Sequence, residues 1–146
     1  FFCQEPPMTD HLTDADIARI LTSVKTIAVV GWSPRPDRPS HGVARFLAAR
    51  GYRVIPVNPG QAGSLSPWGE PVRATLAEVG PVDMVDVFRR SAEAGAVADE
   101  AVALGARVIW MQLGVEDEAA AARARAAGAE VAMNRCPAIE IPRLGL

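Results

Sequence analysis

Short apolar runs recur along this chain, and each run stops at a group of polar or small residues. The runs occupy residues 27–30, 54–57, 82–87, 108–111 and 131–133. Their ends are Gly31-Trp32-Ser33, Asn58-Pro59-Gly60, Phe88-Arg89-Arg90, Gln112-Leu113-Gly114 and Asn134-Arg135-Cys136. Apolar runs of this length between helical stretches predict buried parallel strands. Ligands of open parallel sheets bind beyond the carboxyl ends of the strands, so these ends predict a ligand site.

Helical patterns fill the intervals between the runs. Thr13-Asp14-Ala15-Asp16 resembles a capping box with Asp in its last position, and apolar residues follow it at helical spacing: Ile17, Ile20, Leu21 and Val24. Pro39 suits the first turn of the next helix, because a missing N–H costs nothing there. The predicted buried face of this helix consists of Val43, Phe46 and Leu47. Gly51 is the glycine predicted to end it.

The second half of the chain continues the alternation. Residues 60–71 are rich in Gly, Ser and Pro and predict an irregular excursion, with a short extra strand near residues 70–72. Thr75-Leu76-Ala77-Glu78 predicts a second capping box on a helix of one or two turns. We expect Ser91 to cap the following helix and Gly105 to end it. The last helix is Ala-rich, has acidic residues in its first turn and ends at Gly128.

The order of elements predicts one α/β domain over residues 8–146. Its expected fold is a Rossmann-like doubly wound, mainly parallel sheet of five to six strands with helices on both faces. Residues 1–7 lack the basic segment and long apolar stretch of a secretory signal, so they are interpreted as a leader or an artificial extension.

Composition excludes several classes of function. The net charge of -2 gives no reason to expect nucleic acid or an anionic membrane surface. No apolar stretch reaches the roughly 18–20 residues of a spanning helix. Two cysteines are too few for a disulfide framework, which favours a reducing, cytoplasmic location. No cluster has the spacing of metal ligands.

The first loop after a strand argues against a dinucleotide cofactor. The G-x-G-x-x-G pattern is absent, and Asn58-Pro59 stand where an NAD site has an acidic residue for the ribose. The loop instead offers Ser33, Arg35, Arg38 and Ser40 beside a predicted helix N-terminus. Arginines, hydroxyls and a helix N-terminus suit a ligand with several phosphates.

Five blocks of sequence, in order, resemble the small bacterial CoA-binding proteins, which are similar to the CoA-binding domain of the succinyl-CoA synthetase α subunit. The blocks lie at residues 31–41, 51–59, 81–89, 109–114 and 135–137, and the resemblance spans roughly residues 12–144. Trp32 replaces the small residue that often follows the first glycine in this family, and the segment around residues 64–68 is an irregular insertion.

The resemblance implies that coenzyme A lies across the strand ends. The 3′-phospho-ADP part would lie near the first loop and Val57-Asn58-Pro59, and the pantetheine arm would run past Phe88-Arg89 and Gln112-Gly114 toward the last strand. The implied binding residues are Gly31, Trp32, Ser33, Arg35, Arg38, Ser40, Val57, Asn58, Pro59, Phe88, Arg89, Gln112, Gly114, Asn134 and Cys136.

Structural roles compete with these assignments. Arg35 and Arg38 could instead be solvated loop residues, and Ser40 an ordinary first-turn residue. Trp110 and Met111 are expected in the core. Cys136 is either a buried small hydrophobic residue or a thiol near the CoA sulfur. No catalytic partner is predicted for His41, because the other histidine lies in the N-terminal segment.

We therefore expect a binding protein rather than an enzyme. Acyl-CoA ligases with such a domain also need a phosphohistidine-bearing domain and a nucleotide-grasp domain, and we expect neither within these 146 residues. Two alternatives remain open: a small NAD(P)-linked oxidoreductase, and a regulatory subunit that senses acyl-CoA and docks on an enzyme. The sequence does not choose between free CoA and an acyl-CoA, nor does it give the oligomeric state.

Overall fold

Five parallel strands form one sheet in the computed structural model, which describes residues 10–146. The strands are β1 Thr26–Val30, β2 Arg53–Val57, β3 Met84–Val87, β4 Val108–Met111 and β5 Glu130–Ala132. They lie in the order β2-β1-β3-β4-β5, and every neighbouring pair is parallel. The chain therefore leaves β1 toward one edge and returns on its other side at β3. The gap between β1 and β3 is the topological switch point, where ligands of such sheets bind.

Helices cover both faces of the sheet, as the sequence predicts. They are α1 Asp14–Ser23, α2 Pro39–Ala49, α3 Leu76–Val79, α4 Ser91–Ala103, α5 Glu118–Ala126 and α6 Pro137–Arg143. One face packs on α1, α2 and α6, and the opposite face packs on α3, α4 and α5. Alternate strand residues enter the two layers: Ile27 and Val29 face α1 and α2, whereas Ala28 and Val30 face the other side. The doubly wound Rossmann-like fold is confirmed.

Local signals of the first two helices are also confirmed. At α1, the Thr13 hydroxyl accepts from the Asp16 N–H at 3.1 Å, and the Asp16 carboxylate accepts from the Thr13 N–H at 3.0 Å. Pro39 is the first residue of α2. Gly51 follows the C-cap of α2 with a φ of +99°, the left-handed conformation that glycine adopts most readily.

Two predictions about individual elements are wrong, and a third is only partly confirmed. Ser91 does not cap α4, because the N-cap residue of this helix is Arg90. The Ser91 hydroxyl instead accepts from the Glu116 N–H at 3.0 Å. Residues 70–72 form no strand among the described residues, because single bridges such as that of Leu65 with Pro71 do not extend. At Thr75 only half of the capping box forms, with the hydroxyl accepting from the Glu78 N–H.

A short C-terminal helix is an element that the sequence pattern did not reveal. α6 begins with Pro137 and contains Pro142, and prolines usually indicate a loop. Pro137 occupies the first position, where no N–H is needed, and the apolar side chain of Ile141 is buried. No described helix is long and apolar enough to cross a membrane. The predicted leader at residues 1–7 lies outside the described residues.

Candidate ligand-binding site

A cleft of about 330 Å³ lies at the switch point of the sheet. The loop after β1 and the start of α2 form one wall, and the residues that follow β2 and β3 form the other. The lining residues are Gly31, Trp32, Ser33, Arg35, Arg38, Pro39, Ser40, Asn58, Phe88 and Arg89. All of these except Pro39 belong to the predicted binding set. The structure thus brings together the predicted residues of the first three strand ends, apart from Val57 and Pro59.

Gly31 allows the loop after β1 to pass close beneath the end of β3. Its φ is +90°, and a Cβ at this position would lie 3.1 Å from both the Phe88 carbonyl oxygen and the Arg89 Cδ. A side chain would therefore be strained by its backbone conformation and would also crowd its neighbours. The close approach places the aliphatic part of Arg89 next to Gly31 at the end of β1, and Arg89 also lines the cleft.

Three side-chain hydrogen bonds hold the first loop in place. The Ser33 N–H donates to the Ser40 hydroxyl oxygen at 3.0 Å. The His41 Nδ1 donates to the Ser33 carbonyl oxygen at 3.0 Å, because a carbonyl oxygen can only accept. The Asn58 amide nitrogen donates to the Trp32 carbonyl oxygen at 2.7 Å. Ser40 accepts through its oxygen in this arrangement, so its hydroxyl hydrogen is available to donate to a ligand.

Trp32 forms the buried base of the cleft. Its side chain is only 2% exposed. The indole stacks on the His41 ring, with centroids 5.7 Å apart, and meets the Trp68 ring edge-on at 6.0 Å. Trp68 is held by a hydrogen bond from its Nε1 to the Val54 carbonyl oxygen. The irregular segment at residues 64–68 therefore supplies an aromatic partner for Trp32. These are the two features in which the sequence differs from the family pattern, and they pack against each other.

The arginines at the cleft differ in how fully their charges are neutralised. Arg38 makes no ion pair with any of residues 10–146. Arg35 lies 3.4 Å from Asp37, and both side chains are largely exposed. The Arg89 Nε lies 3.2 Å from the Glu93 carboxylate. A hydrogen bond from Arg90 lowers the pKa of Glu93, and Arg89 lowers it further, so this carboxylate is ionised at neutral pH.

The N-termini of α2 and α4 add positive potential near the same place. The N-cap residues Arg38 and Arg90 make no side-chain capping hydrogen bond. The first N–H groups of these two helices therefore lack the side-chain acceptor that Thr13 and Asp117 give to α1 and α5. Such a helix N-terminus attracts anions.

Two predicted residues, the last residue of β2 and the second residue after it, do not line the cleft. Val57 is buried, and its carbonyl oxygen accepts from the N–H groups of Gly31 and Trp32 at 3.1 and 3.3 Å. Pro59 is exposed and begins a 3-10 turn at Pro59–Gln61.

The predicted residues after β4 and β5 also lie outside the cleft. The Gly114 N–H donates to the Asn134 side-chain oxygen at 2.7 Å, which ties the two loops together. Asn134 has a positive φ of 56°, a conformation that Asn tolerates better than most residues. Gln112 and Cys136 are 5% and 6% exposed. Cys136 packs among apolar side chains, as its structural interpretation predicts.

Trp110 and Met111 are fully buried, so their assignment to the core is confirmed. Two buried ionisable residues next to them were not identified from the sequence. Asp86 lies within β3 and is completely buried. Arg135 is 4% exposed and pairs with Asp10 and Glu140. The only available signal for Asp86 was a carboxylate within an apolar run, and that run also contains Asp83.

A larger cavity of about 470 Å³ lies elsewhere on the molecule. It is lined by Leu21, Thr22, Val24, Lys25, Arg50, Gly51, Tyr52, Ile141 and Leu146. Lys25 directly precedes β1 and Tyr52 directly precedes β2, so this cavity is at the amino end of the strands. None of the polar strand ends reaches it. Size alone therefore does not identify the site, and the switch-point cleft is the better candidate.

Comparison with known proteins shows the family of this chain. A family model described as a CoA binding domain matches residues 25–142. The uncharacterized protein YneT of Bacillus subtilis is 42% identical over 123 residues, covering 84% of this chain and 89% of that protein. The solved structure of a hypothetical protein from Pyrococcus horikoshii is 34% identical, with a TM-score of 0.89 over 99% of this chain and 100% of that one. A structure from Thermus thermophilus is 36% identical, with a TM-score of 0.85 over 91% of this chain and 99% of that one. This chain therefore belongs to the family of CoA-binding domains.

Proposed function

We propose that the protein binds coenzyme A, or an acyl-CoA, in the switch-point cleft. The observation that carries this proposal is the position of Arg38. Arg38 lines the cleft as the N-cap residue of α2, and its guanidinium group has no carboxylate partner among residues 10–146. Exposed arginines that have no structural partner are suited to bidentate contact with phosphate.

The other groups of the first loop suit the same ligand. Arg35 and the hydroxyl groups of Ser33 and Ser40 line the cleft beside Arg38. Coenzyme A carries about four negative charges near neutral pH, and charge-assisted hydrogen bonds to such groups are about twice as strong as neutral ones. The 3′-phospho-ADP part therefore lies along this loop, with Val57, Asn58 and Pro59 beside the nucleoside.

The pantetheine arm then crosses the ends of the next strands. Phe88 and Arg89 form the wall of the cleft at β3. Beyond them the arm passes Gln112 and Gly114 toward Asn134 and Cys136. Phe88 contributes apolar surface for the arm, and the Gly114 loop, tied to Asn134, forms the far border.

We further propose that the domain binds its ligand without chemical turnover. His41 is 5% exposed, stacks on Trp32 and donates to the Ser33 carbonyl oxygen. The His41 Nδ1 bonds to the Ser33 carbonyl oxygen and not to the Ser40 hydroxyl group, whose oxygen accepts from the Ser33 N–H, so His41 does not activate Ser40 through this nitrogen. These contacts give both residues a role in holding the loop.

Thermal unfolding with and without ligand tests the proposal. Coenzyme A should raise the Tm, because a ligand that binds only the folded state adds about 2.7 kcal/mol when present at 100 times its Kd. NAD and NADP at the same concentration should shift the Tm much less. An equal shift with NAD, or no shift with coenzyme A, would contradict the proposal.

A further inference from the structure

Three buried polar side chains next to the cleft have atoms with no hydrogen-bond partner. They are the Nε1 of Trp32, both carboxylate oxygens of Asp86 and the Oε1 of Gln112. Buried polar atoms are almost always hydrogen-bonded, since leaving one unpaired costs about 1–3 kcal/mol. Three such residues on neighbouring strands therefore call for a common explanation.

The strand register places the three groups on one face of the sheet. Asp86 pairs with Val29 of β1 and with Trp110 of β4. Both of these neighbours belong to the layer that packs on α1, α2 and α6, and so does Trp32. Gln112 comes two residues after Trp110 and continues the ladder, with its N–H donating to the Val87 carbonyl oxygen. Strand alternation therefore puts the side chains of Asp86 and Gln112 in this same layer, diagonal to each other.

The hydrogen-bonding capacities of these groups are complementary when Asp86 carries a proton. The Trp32 Nε1–H is a donor, and the Gln112 Oε1 is an acceptor. A carboxylic acid can accept from the first through its carbonyl oxygen and donate to the second through its hydroxyl group. An ionised carboxylate can only accept, so water would have to supply the hydrogen for Gln112, and the buried negative charge would have no cation beside it.

The surroundings of Asp86 favour the neutral acid. Its burial raises its pKa well above the ordinary value of 3.8, and no nearby cation counters this. The ionisable groups buried in the same layer are His41, Arg135 with Asp10 and Glu140, and Cys136. Each of the charged groups has another partner, and none hydrogen-bonds to Asp86.

We propose that Asp86 is a neutral acid that joins Trp32 to Gln112 through buried water and thereby positions both sides of the switch-point cleft. No direct hydrogen bond joins the three side chains, so in this proposal water molecules lie between them. A buried polar site with several hydrogen-bonding groups retains water. Asp86 is a positioning residue in this arrangement. Trp32 forms the base of the cleft, and Gln112 lies at the next strand end along the proposed pantetheine path. The expected effect of Asp86 on the affinity for coenzyme A therefore rests on the proposed function.

The protonation state can be measured without any ligand. In infrared spectra of the full chain at pH 7, the wild type should show the carbonyl stretch of a protonated carboxylic acid, and Asp86→Asn should lack it. Asp99→Asn is the matched control, because Asp99 is exposed and pairs with Arg123 on the surface. A wild-type spectrum with no band that Asp86→Asn removes would overturn the neutral acid.

Two variants test the positioning role. Asp86→Asn keeps one donor and one acceptor, so the NMR signal of the Trp32 indole N–H and the CoA affinity should stay within about twofold of wild type. Asp86→Val fits the apolar layer but bonds to neither neighbour, so it should shift the indole signal and weaken coenzyme A by about tenfold. An unmoved indole signal together with unchanged affinity in Asp86→Val would overturn the positioning role. Failure of the wild type to bind coenzyme A would contradict the proposed function, while the infrared and NMR results would still decide the state of Asp86.

Discussion

At the scale of single residues, ion pairing distinguishes the arginines of the cleft. A largely exposed pair such as Arg35–Asp37 contributes little, because water screens both charges. Arg89 shares the Glu93 carboxylate with Arg90, so part of its charge is already used within the protein. Arg38 has no such partner among residues 10–146, and its charge is the most available to a ligand.

Arg38→Ala should therefore weaken coenzyme A by about 1.5–3 kcal/mol, the value of a hydrogen bond to a charged group. Isothermal titration calorimetry would measure this change. The Tm of the free protein should stay close to that of the wild type, because Arg38 makes no side-chain cap or ion pair among the described residues.

Arg45→Ala is the matched control for Arg38. Arg45 lies on the same helix, is exposed and does not line the cleft. Its loss should leave the Kd for coenzyme A unchanged. Equal weakening by both variants would indicate a general charge effect, and no weakening by Arg38→Ala would assign that residue to the solvated surface.

At the scale of elements, the sequence predicts well what depends on neighbours in the chain. The five strands follow from apolar runs, and the capping box of α1 and the glycine after α2 follow from local backbone chemistry. Ser91 shows the limit of such signals. It has the side chain of a cap, but its hydroxyl group bonds to the Glu116 N–H across the sheet edge. Similarly, the two prolines of α6 hide a helix that packing stabilises.

The same limit applies to the candidate site. The loop residues Ser33, Arg35, Arg38 and Ser40 could be predicted because they follow one strand and precede one helix. The contact between Trp32 and Trp68 could not be predicted, since it joins segments that only the folded sheet brings together. The buried Asp86 required knowledge of which strands flank β3.

The capping box of α1 gives a prediction at this scale. Thr13→Ala removes the acceptor for the Asp16 N–H and should lower the free energy of unfolding by about 1 kcal/mol. Urea denaturation would measure the change. Thr22→Ala is the control on the same helix, because its exposed hydroxyl bonds back to the Ala18 carbonyl oxygen and caps nothing. A loss in Thr22→Ala as large as that in Thr13→Ala would argue against capping as the cause.

At the scale of the whole molecule, a network of ion pairs joins the two ends of the described chain. Arg135 binds the Asp10 carboxylate through two nitrogens, at 2.5 and 3.0 Å, and binds Glu140 at 2.9 Å. Arg143 continues the network from Glu140 to Asp14 at the start of α1. The segment before α1 is thus fastened to the segment between β5 and α6. Because Arg135 and Asp10 are almost fully buried, removing one partner leaves the other charge uncompensated.

Acid unfolding should depend on this network. Burial alone would raise the pKa of Asp10, but hydrogen bonds from Arg135, Leu12 and Met133 outweigh burial and lower the pKa below 3.8. A lowered pKa means that the unfolded chain binds more protons at low pH, so the contribution of Asp10 is complete above its unfolded pKa and is lost as the pH falls through its folded pKa. Asp10→Asn should cost about 3 kcal/mol at neutral pH, the lower end of the range for breaking a buried pair, since Glu140 remains bound to Arg135. Its stability should also fall less steeply than that of the wild type below about pH 4.

Urea denaturation across this pH range would measure both effects. Asp14→Asn, at the exposed end of the network, is the control and should change the neutral-pH stability little. Parallel pH curves for the wild type and Asp10→Asn would show that Asp10 does not carry this part of the acid sensitivity.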